Sequence, residues 1–83
     1  MTNEELLSEF SSILGKLLAN ESITLRMETK RADVQDWDSF QYVNFIVAVE
    51  LRLNVKFRVA DVEAFETVGD IVTETQALLA KAT

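Results

Sequence analysis

Apolar residues recur at helical spacing from the start of the chain, where Leu6, Leu7, Phe10, Ile13, Leu14, Leu17 and Leu18 fall on one stripe. Residues three and four apart share a helix face, so the pattern predicts an amphipathic helix over about residues 3–19. Thr2 followed by Glu5 reads as a capping box at its start. Gly15 costs about 1 kcal/mol relative to alanine inside a helix and is read as a point of close packing. The periodicity then fails. Over residues 20–37 the apolar positions Ile23, Leu25, Met27, Val34 and Trp37 stand singly among polar neighbours, which predicts a long loop pinned to the core at intervals. Loops longer than about 12–15 residues are uncommon in compact domains and are often functional.

Two periods compete in the middle of the chain. Val47, Val49, Leu51, Leu53, Val55, Phe57 and Val59 alternate with Ala48, Glu50, Arg52, Asn54, Lys56 and Arg58, the signature of a half-buried strand. Tyr42, Phe45, Ile46, Val49 and Leu53 also form a helical stripe, and Asp38 and Ser39 are good cap residues with Gln41 three positions after Asp38. These residues alone leave both readings open. A lone strand needs a partner and no other segment alternates, so a helix over about 39–54 followed by an extended stretch over 55–58 is favoured. Farther on, Val68, Ile71, Val72, Thr75, Leu78 and Leu79 repeat at helical spacing after the cap pair Thr67 and Asp70, predicting a helix over about 68–81. Residues 60–65 are long enough for one short helix whose Val62 and Phe65 close the bundle. The expected fold is therefore all-α: three main helices and one short one, antiparallel, with a long crossing loop.

Composition narrows what such a bundle can do. With 83 residues, 48% of them hydrophobic and 27% charged, the chain is expected to be one folded domain, 1–83, with a small core. Fourteen acidic against 8 basic residues give a formal charge of −6, which disfavours nucleic acid and anionic membrane surfaces and favours basic protein surfaces. No apolar run approaches the length of a membrane span, and the N-terminal MTNEELLSEF lacks the pattern of a signal peptide. A cytoplasmic protein, not inserted in membranes and monomeric, is expected. Histidine and cysteine are both absent. That removes the usual general base, the usual metal ligand and the usual thiol, excludes Ser–His–Asp chemistry, and argues against an enzyme.

The segment Asp36–Trp37–Asp38–Ser39–Phe40 closes the long loop and opens the second helix. Asp38 can act simply as a helix cap and Trp37 as a hydrophobic staple. A serine hydroxyl at this place is also exposed, and a phosphodiester on it would be favoured by the free N–H groups and the helix dipole. Asp38–Ser39–Phe40 resembles the Asp-Ser-Leu signature of acyl and peptidyl carrier proteins, with Phe40 in place of the usual leucine. The resemblance extends through the first helix, the long loop, Val43 to Leu53, and Phe65–Glu66–Thr67–Val68–Gly69–Asp70–Ile71. It implies a four-helix acyl-carrier-like bundle, and a 4′-phosphopantetheine arm placed on Ser39 by a phosphopantetheinyl transferase from coenzyme A. It further implies acyl cargo held as thioesters, and partner enzymes that load and process the cargo in fatty-acid, polyketide or specialised biosynthesis. Asp38 then caps the helix and presents Ser39. Tyr42, Phe45, Ile46, Val49, Leu53, Phe65 and Ile71 match positions lining the core or the acyl cavity of relatives, and for each of them plain packing is the safer reading.

Many fatty-acid carriers expose several carboxylates on the second helix; here Glu50 is the one acid after Ser39 within it. Its outer side is expected to show Gln41, Asn44, Val47, Ala48, Leu51 and Arg52, so that Phe40, Gln41, Asn44, Val47 and Leu51 are read as a docking surface with an apolar stripe, an ordinary variable surface being the other reading. Asp33, Asp36 and Asp38 suggest a cation loop, but the glycine and terminal glutamate of an EF-hand are missing and no metal site is expected. Arg26, Lys30 and Arg31 interrupt the loop with positive charge, placed to touch a phosphate or a partner. The competing reading is a helical interaction module with a carrier-like fold and no prosthetic group, in which Ser39 is only part of a helix cap.

Overall fold

The computed structural model describes residues 1–81, which form four helices: α1 (Asn3–Leu17), α2 (Ser39–Leu53), α3 (Val59–Ala64) and α4 (Val68–Lys81). The last two positions of the expected domain lie outside the described residues. The Thr2 Oγ1 accepts from Glu5 N at 3.1 Å and Glu5 Oε1 accepts from Thr2 N at 2.8 Å, so the capping box read from the sequence is complete. α1 stops two residues earlier than expected. Ala19 takes the left-handed conformation at φ 53° and Asn20 N donates back to Gly15 O at 2.8 Å, which turns the chain before Leu17–Leu18 can be extended. A Cβ on Gly15 would stand 3.0 Å from Asn20 O, and this is the close contact expected of that glycine.

The contested middle segment is helical. Phe45, Ile46 and Val49 are buried, whereas Val47 (46% exposed), Leu51 (80%) and Val59 (73%) would all have been covered had the alternating face been the core face. Helical burial wins because α1 offers a stripe to pack against, while the described residues contain no strand to pair with. Asn54, left-handed at φ 55°, ends α2 one residue before the expected boundary. Val55 N then donates to Glu50 O at 3.1 Å and Phe57 N to Glu50 Oε2 at 2.8 Å, drawing the chain past the helix end so that Phe57 enters the core. α3 is shifted by one residue from the expected 60–65, because Phe65 has extended backbone and serves as its C-cap.

α1 packs on α2 and α4, and the core is assembled from Leu6, Phe10 and Leu14 of α1, Phe45 and Val49 of α2, and Val68, Ile71 and Val72 of α4. The Phe10 and Phe45 rings meet edge to face at 5.6 Å, the favoured geometry for an aromatic pair. Thr75, fully buried, donates its hydroxyl to Ile71 O at 2.7 Å, so this core hydroxyl is paired.

The long connection is tied down as the isolated apolar residues implied. Leu25 and Trp37 are buried, and Ile23, Met27 and Val34 pack partly buried against the core. Polar ties reinforce them. Ser11 Oγ donates to Leu7 O at 2.7 Å and accepts from Leu25 N at 2.9 Å, while Gly69 N and Val68 N donate to Met27 O and Thr29 O, each at 2.8 Å. One turn of 3₁₀ helix, Arg31–Asp33, breaks the loop and had no periodic signal, since three residues are too few to show one. Among the described residues no helix is long and apolar enough to cross a membrane.

At Gly69 the loop lies close against α4: a Cβ there would lie 2.7 Å from Met27 O. Gly69→Ala is therefore expected to lower unfolding free energy by about 1–3 kcal/mol despite alanine's better helix propensity, because a backbone oxygen must shift. Urea unfolding measures this, and an unchanged midpoint would contradict the close approach.

Two carboxylates make stability depend on acid. Backbone N–H donation from Thr2 holds Glu5 below its ordinary range, and donation from Glu66 and then Thr67 does the same for Asp70. A carboxyl with its folded pKa below its unfolded one adds stability above the unfolded pKa and loses it as pH falls through the folded value. Thermal unfolding should thus be flat near neutrality and decline through the acid range, and Asp70→Asn should shrink that decline; an identical acid limb in the variant would count against the assignment.

Candidate functional site

Ser39 stands at the first position of α2, and the loop and helix signals around it explain its exposure. Asp38, with extended backbone, accepts from Gln41 N through Oδ1 at 2.9 Å, so the aspartate is the N-cap and the serine that follows is free of capping duty. Gln41 does not return a bond to Asp38; its Oε1 accepts from Asn44 Nδ2 at 3.3 Å. Trp37 packs beside Tyr42 with ring centroids 6.2 Å apart, which is the staple expected from residues flanking a helix start. Among the described residues the Ser39 hydroxyl makes no hydrogen bond, and the N–H groups of Ser39 and Phe40 have no acceptor. The result is an exposed hydroxyl set into the positive end of a fifteen-residue helix.

A cleft of about 750 Å³ opens beside it. Lys30 and Arg31 of the loop, Trp37, Ser39, Tyr42 and Val43, Val62 and Glu63 of α3, and Phe65 to Val68 with Ile71 line it. The Tyr42 hydroxyl donates to Val62 O at 2.7 Å, joining α2 to α3 across one wall. Burial raises the Tyr42 pKa, an effect that nearby Arg31 partly opposes, so the hydroxyl keeps its proton and remains a donor. The Arg31 guanidinium lies over the Tyr42 ring at 5.2 Å, a cation–π placement that holds positive charge at the cleft. Trp37 meets Phe45 edge to face at 5.2 Å, and its Nε1–H is buried with no partner among the described residues.

The expected cavity-or-core residues separate into two groups. Tyr42, Phe65 and Ile71 line the cleft; Phe45, Ile46 and Val49 are core, and Leu53 packs half-buried against it. The expected docking residues also divide. Phe40 (72% exposed), Val47 and Leu51 are open to solvent, but Gln41 and Asn44 are half-buried and engaged with each other. Val43, 55% exposed, takes their place on the stripe. Its position between Phe40 and Val47 at helical spacing was the signal that could have found it. Of the other cleft residues, Val62, Thr67 and Val68 read in the sequence only as packing or cap positions and Glu63 carries no signal, because their approach to Ser39 is tertiary. Asp33 accepts from Lys30 N at 2.9 Å and Asp38 from Gln41 N, so two of the three loop aspartates serve as caps.

No family model matches the sequence. The chain is 33% identical over 72 residues to an acyl carrier protein of Thermotoga maritima, spanning 87% of this chain and 89% of that one. It is 31% identical over 78 residues to the meromycolate extension acyl carrier protein of Mycobacterium leprae, spanning 94% of this chain and 68% of the relative. The fold is similar to the solution structure of a holo acyl carrier protein from Geobacter metallireducens, with a TM-score of 0.84, 29% identity, and coverage of 92% of this chain and 87% of that one. Sequence similarity and shared helical architecture thus meet the resemblance carried by Asp38–Ser39–Phe40, and the chain belongs to the acyl carrier protein family, whose members carry acyl groups and do not themselves catalyse.

Proposed function

We propose that Ser39 bears a 4′-phosphopantetheine arm and that the protein, acting as one carrier domain, presents acyl intermediates on it as thioesters to enzymes of a fatty-acid, polyketide or specialised biosynthetic pathway. The observation that carries this is the unengaged Ser39 hydroxyl at the start of α2, at the edge of a cleft. The residues fit the group. The hydroxyl is reachable, free N–H groups and the helix dipole favour the phosphodiester charge, and Lys30 and Arg31 supply positive charge at the same cleft. In the attachment step a phosphopantetheinyl transferase would remove the Ser39 proton, the Oγ–phosphorus bond would form, and the adenosine bisphosphate of coenzyme A would leave. When bound, the arm supplies the terminal thiol that a chain without cysteine lacks. Asp38 contributes by fixing the helix start and so the direction in which Ser39 emerges.

Incubation of the purified protein with coenzyme A and a broad-range transferase should raise its mass by roughly 340 Da, the composition of the arm. Ser39→Ala should abolish the increment. No increment on the parent protein would favour an interaction module without a prosthetic group; an increment that persists in the variant would move the attachment site elsewhere.

The same proposal extends to docking. Phe40, Val43, Val47 and Leu51 line one face of α2 that begins at the attachment residue. The two charged residues of the helix are committed elsewhere, Glu50 to Phe57 N at 2.8 Å and Arg52 to Glu9 at 3.3 Å. A partner enzyme would therefore receive this helix in an apolar groove in place of a basic patch, and binding would be set by buried area more than by charge. Modification kinetics with the transferase should change little between low and moderate salt, and Leu51→Glu should raise KM several-fold while the fold is retained, Leu51 being 80% exposed. A steep salt dependence with no effect of Leu51→Glu would contradict this.

A further inference from the structure

One residue lining the cleft beside Ser39 carries a buried polar atom with no hydrogen-bond partner among the described residues. Trp37 is 5% exposed, lines the cleft, and has the one buried side-chain nitrogen or oxygen left without a partner among the described residues. Native interiors seldom leave such a donor unpaired unless something else is to fill it. The two acceptors of the cleft lining that receive side-chain or cap bonds, Val62 O and Asp38 Oδ1, take theirs from the Tyr42 hydroxyl and Gln41 N, and neither pairs with the indole. An indole N–H only donates, so its missing partner is an acceptor. The group that enters this cleft from Ser39 carries such acceptors, since the amides of the arm and a thioester-bound acyl group all present carbonyl oxygens.

Access is the second consideration. The Nε1 atom is closed off from solvent, so a ligand reaches it only if the wall parts. The wall formed by α3 is suited to that: it is six residues long, contains no buried residue, and is joined to α2 through the Tyr42 hydroxyl on Val62 O. Opening it exposes few apolar atoms. The rigid side of the cleft, by contrast, is Trp37 itself, wedged edge-on against fully buried Phe45.

We infer that the Trp37 indole N–H donates to a carbonyl oxygen brought into this cleft on the Ser39 arm, either an amide of the arm or an oxygen of the acyl cargo. The inference rests on the carrier reading of Ser39. It makes Trp37 a binding residue for the carried group in addition to a staple of α2.

The chain has a single tryptophan, so its indole proton gives one resolved NMR signal. That signal is to be compared in four states, each verified by intact mass: apo, holo, holo bearing a saturated acyl chain, and holo bearing a β-oxoacyl chain of equal length. The expected result is a downfield shift, with exchange slowed roughly tenfold as an ordinary net hydrogen bond implies. A shift already present in the holo form assigns the acceptor to the arm. A shift that first appears with acyl loading assigns it to the cargo, and to the ketone when only the β-oxoacyl form shows it. An indole signal unchanged across all four verified states overturns the inference while the carrier reading stands. A missing mass increment overturns both. Trp37→Phe keeps a ring against Phe45 and removes the N–H. The rise in Tm on loading should be smaller in this variant than in the parent, and an equal rise would overturn the inference.

Discussion

The contact of Trp37 with Phe45 is the one on which the rest of the structure depends. Phe45 is fully buried and already engaged edge-on by Phe10 of α1, so it is part of the most fixed region of the bundle. Trp37 meets the same ring at 5.2 Å from the end of the long loop. Because Asp38 follows at once and caps α2, the position of the indole sets where the helix begins and where Ser39 emerges. A small domain has few such contacts available, and a connection of about twenty residues would otherwise hold Ser39 poorly in place. The ties at Ser11, Thr29 and Gly69 restrain the rest of that connection, but Trp37 brings it to the site.

This arrangement separates stability from chemistry. The buried residues of α1, α2 and α4 make the core, Trp37, Val68 and Ile71 belong both to it and to the cleft wall, and Ser39 itself is exposed and adds little to it. With no histidine or cysteine, the protein has no side chain fitted to activate the serine or to carry a thioester. Acyl carrier proteins do not need one. The contribution of the protein is positional: an exposed serine at a helix start, positive charge held over Tyr42, and a cleft alongside.

Much of this was legible in the sequence, for identifiable reasons. α1 and α4 were clear because their stripes are long and both starts carry reciprocal caps, Thr2 with Glu5 and Thr67 with Asp70. α2 was ambiguous because Val47, Leu51 and Val59 are apolar but exposed, and three outward apolar residues at odd positions imitate a strand. The same feature that obscured the secondary structure marks the candidate docking face. Helix ends were missed by one or two residues where Ala19 and Asn54 adopt left-handed backbone, a conformation without a reliable signature in residues other than glycine. The cleft was the least legible part. Ser39, Tyr42, Phe65 and Ile71 were singled out in advance, but Arg31 over Tyr42, the bond from Tyr42 to Val62 and the unpaired indole of Trp37 depend on tertiary placement that no local pattern encodes.

On the proposed reading Ser39 is a passive attachment point whose usefulness is imported, so what the hydroxyl bears in the cell decides the matter. Intact mass of the protein isolated from its native host, followed by fragmentation across the start of α2, tests this most directly. The account predicts a phosphodiester-linked arm on Ser39, with or without an acyl group at its end; native protein carrying an unmodified Ser39 throughout would contradict it.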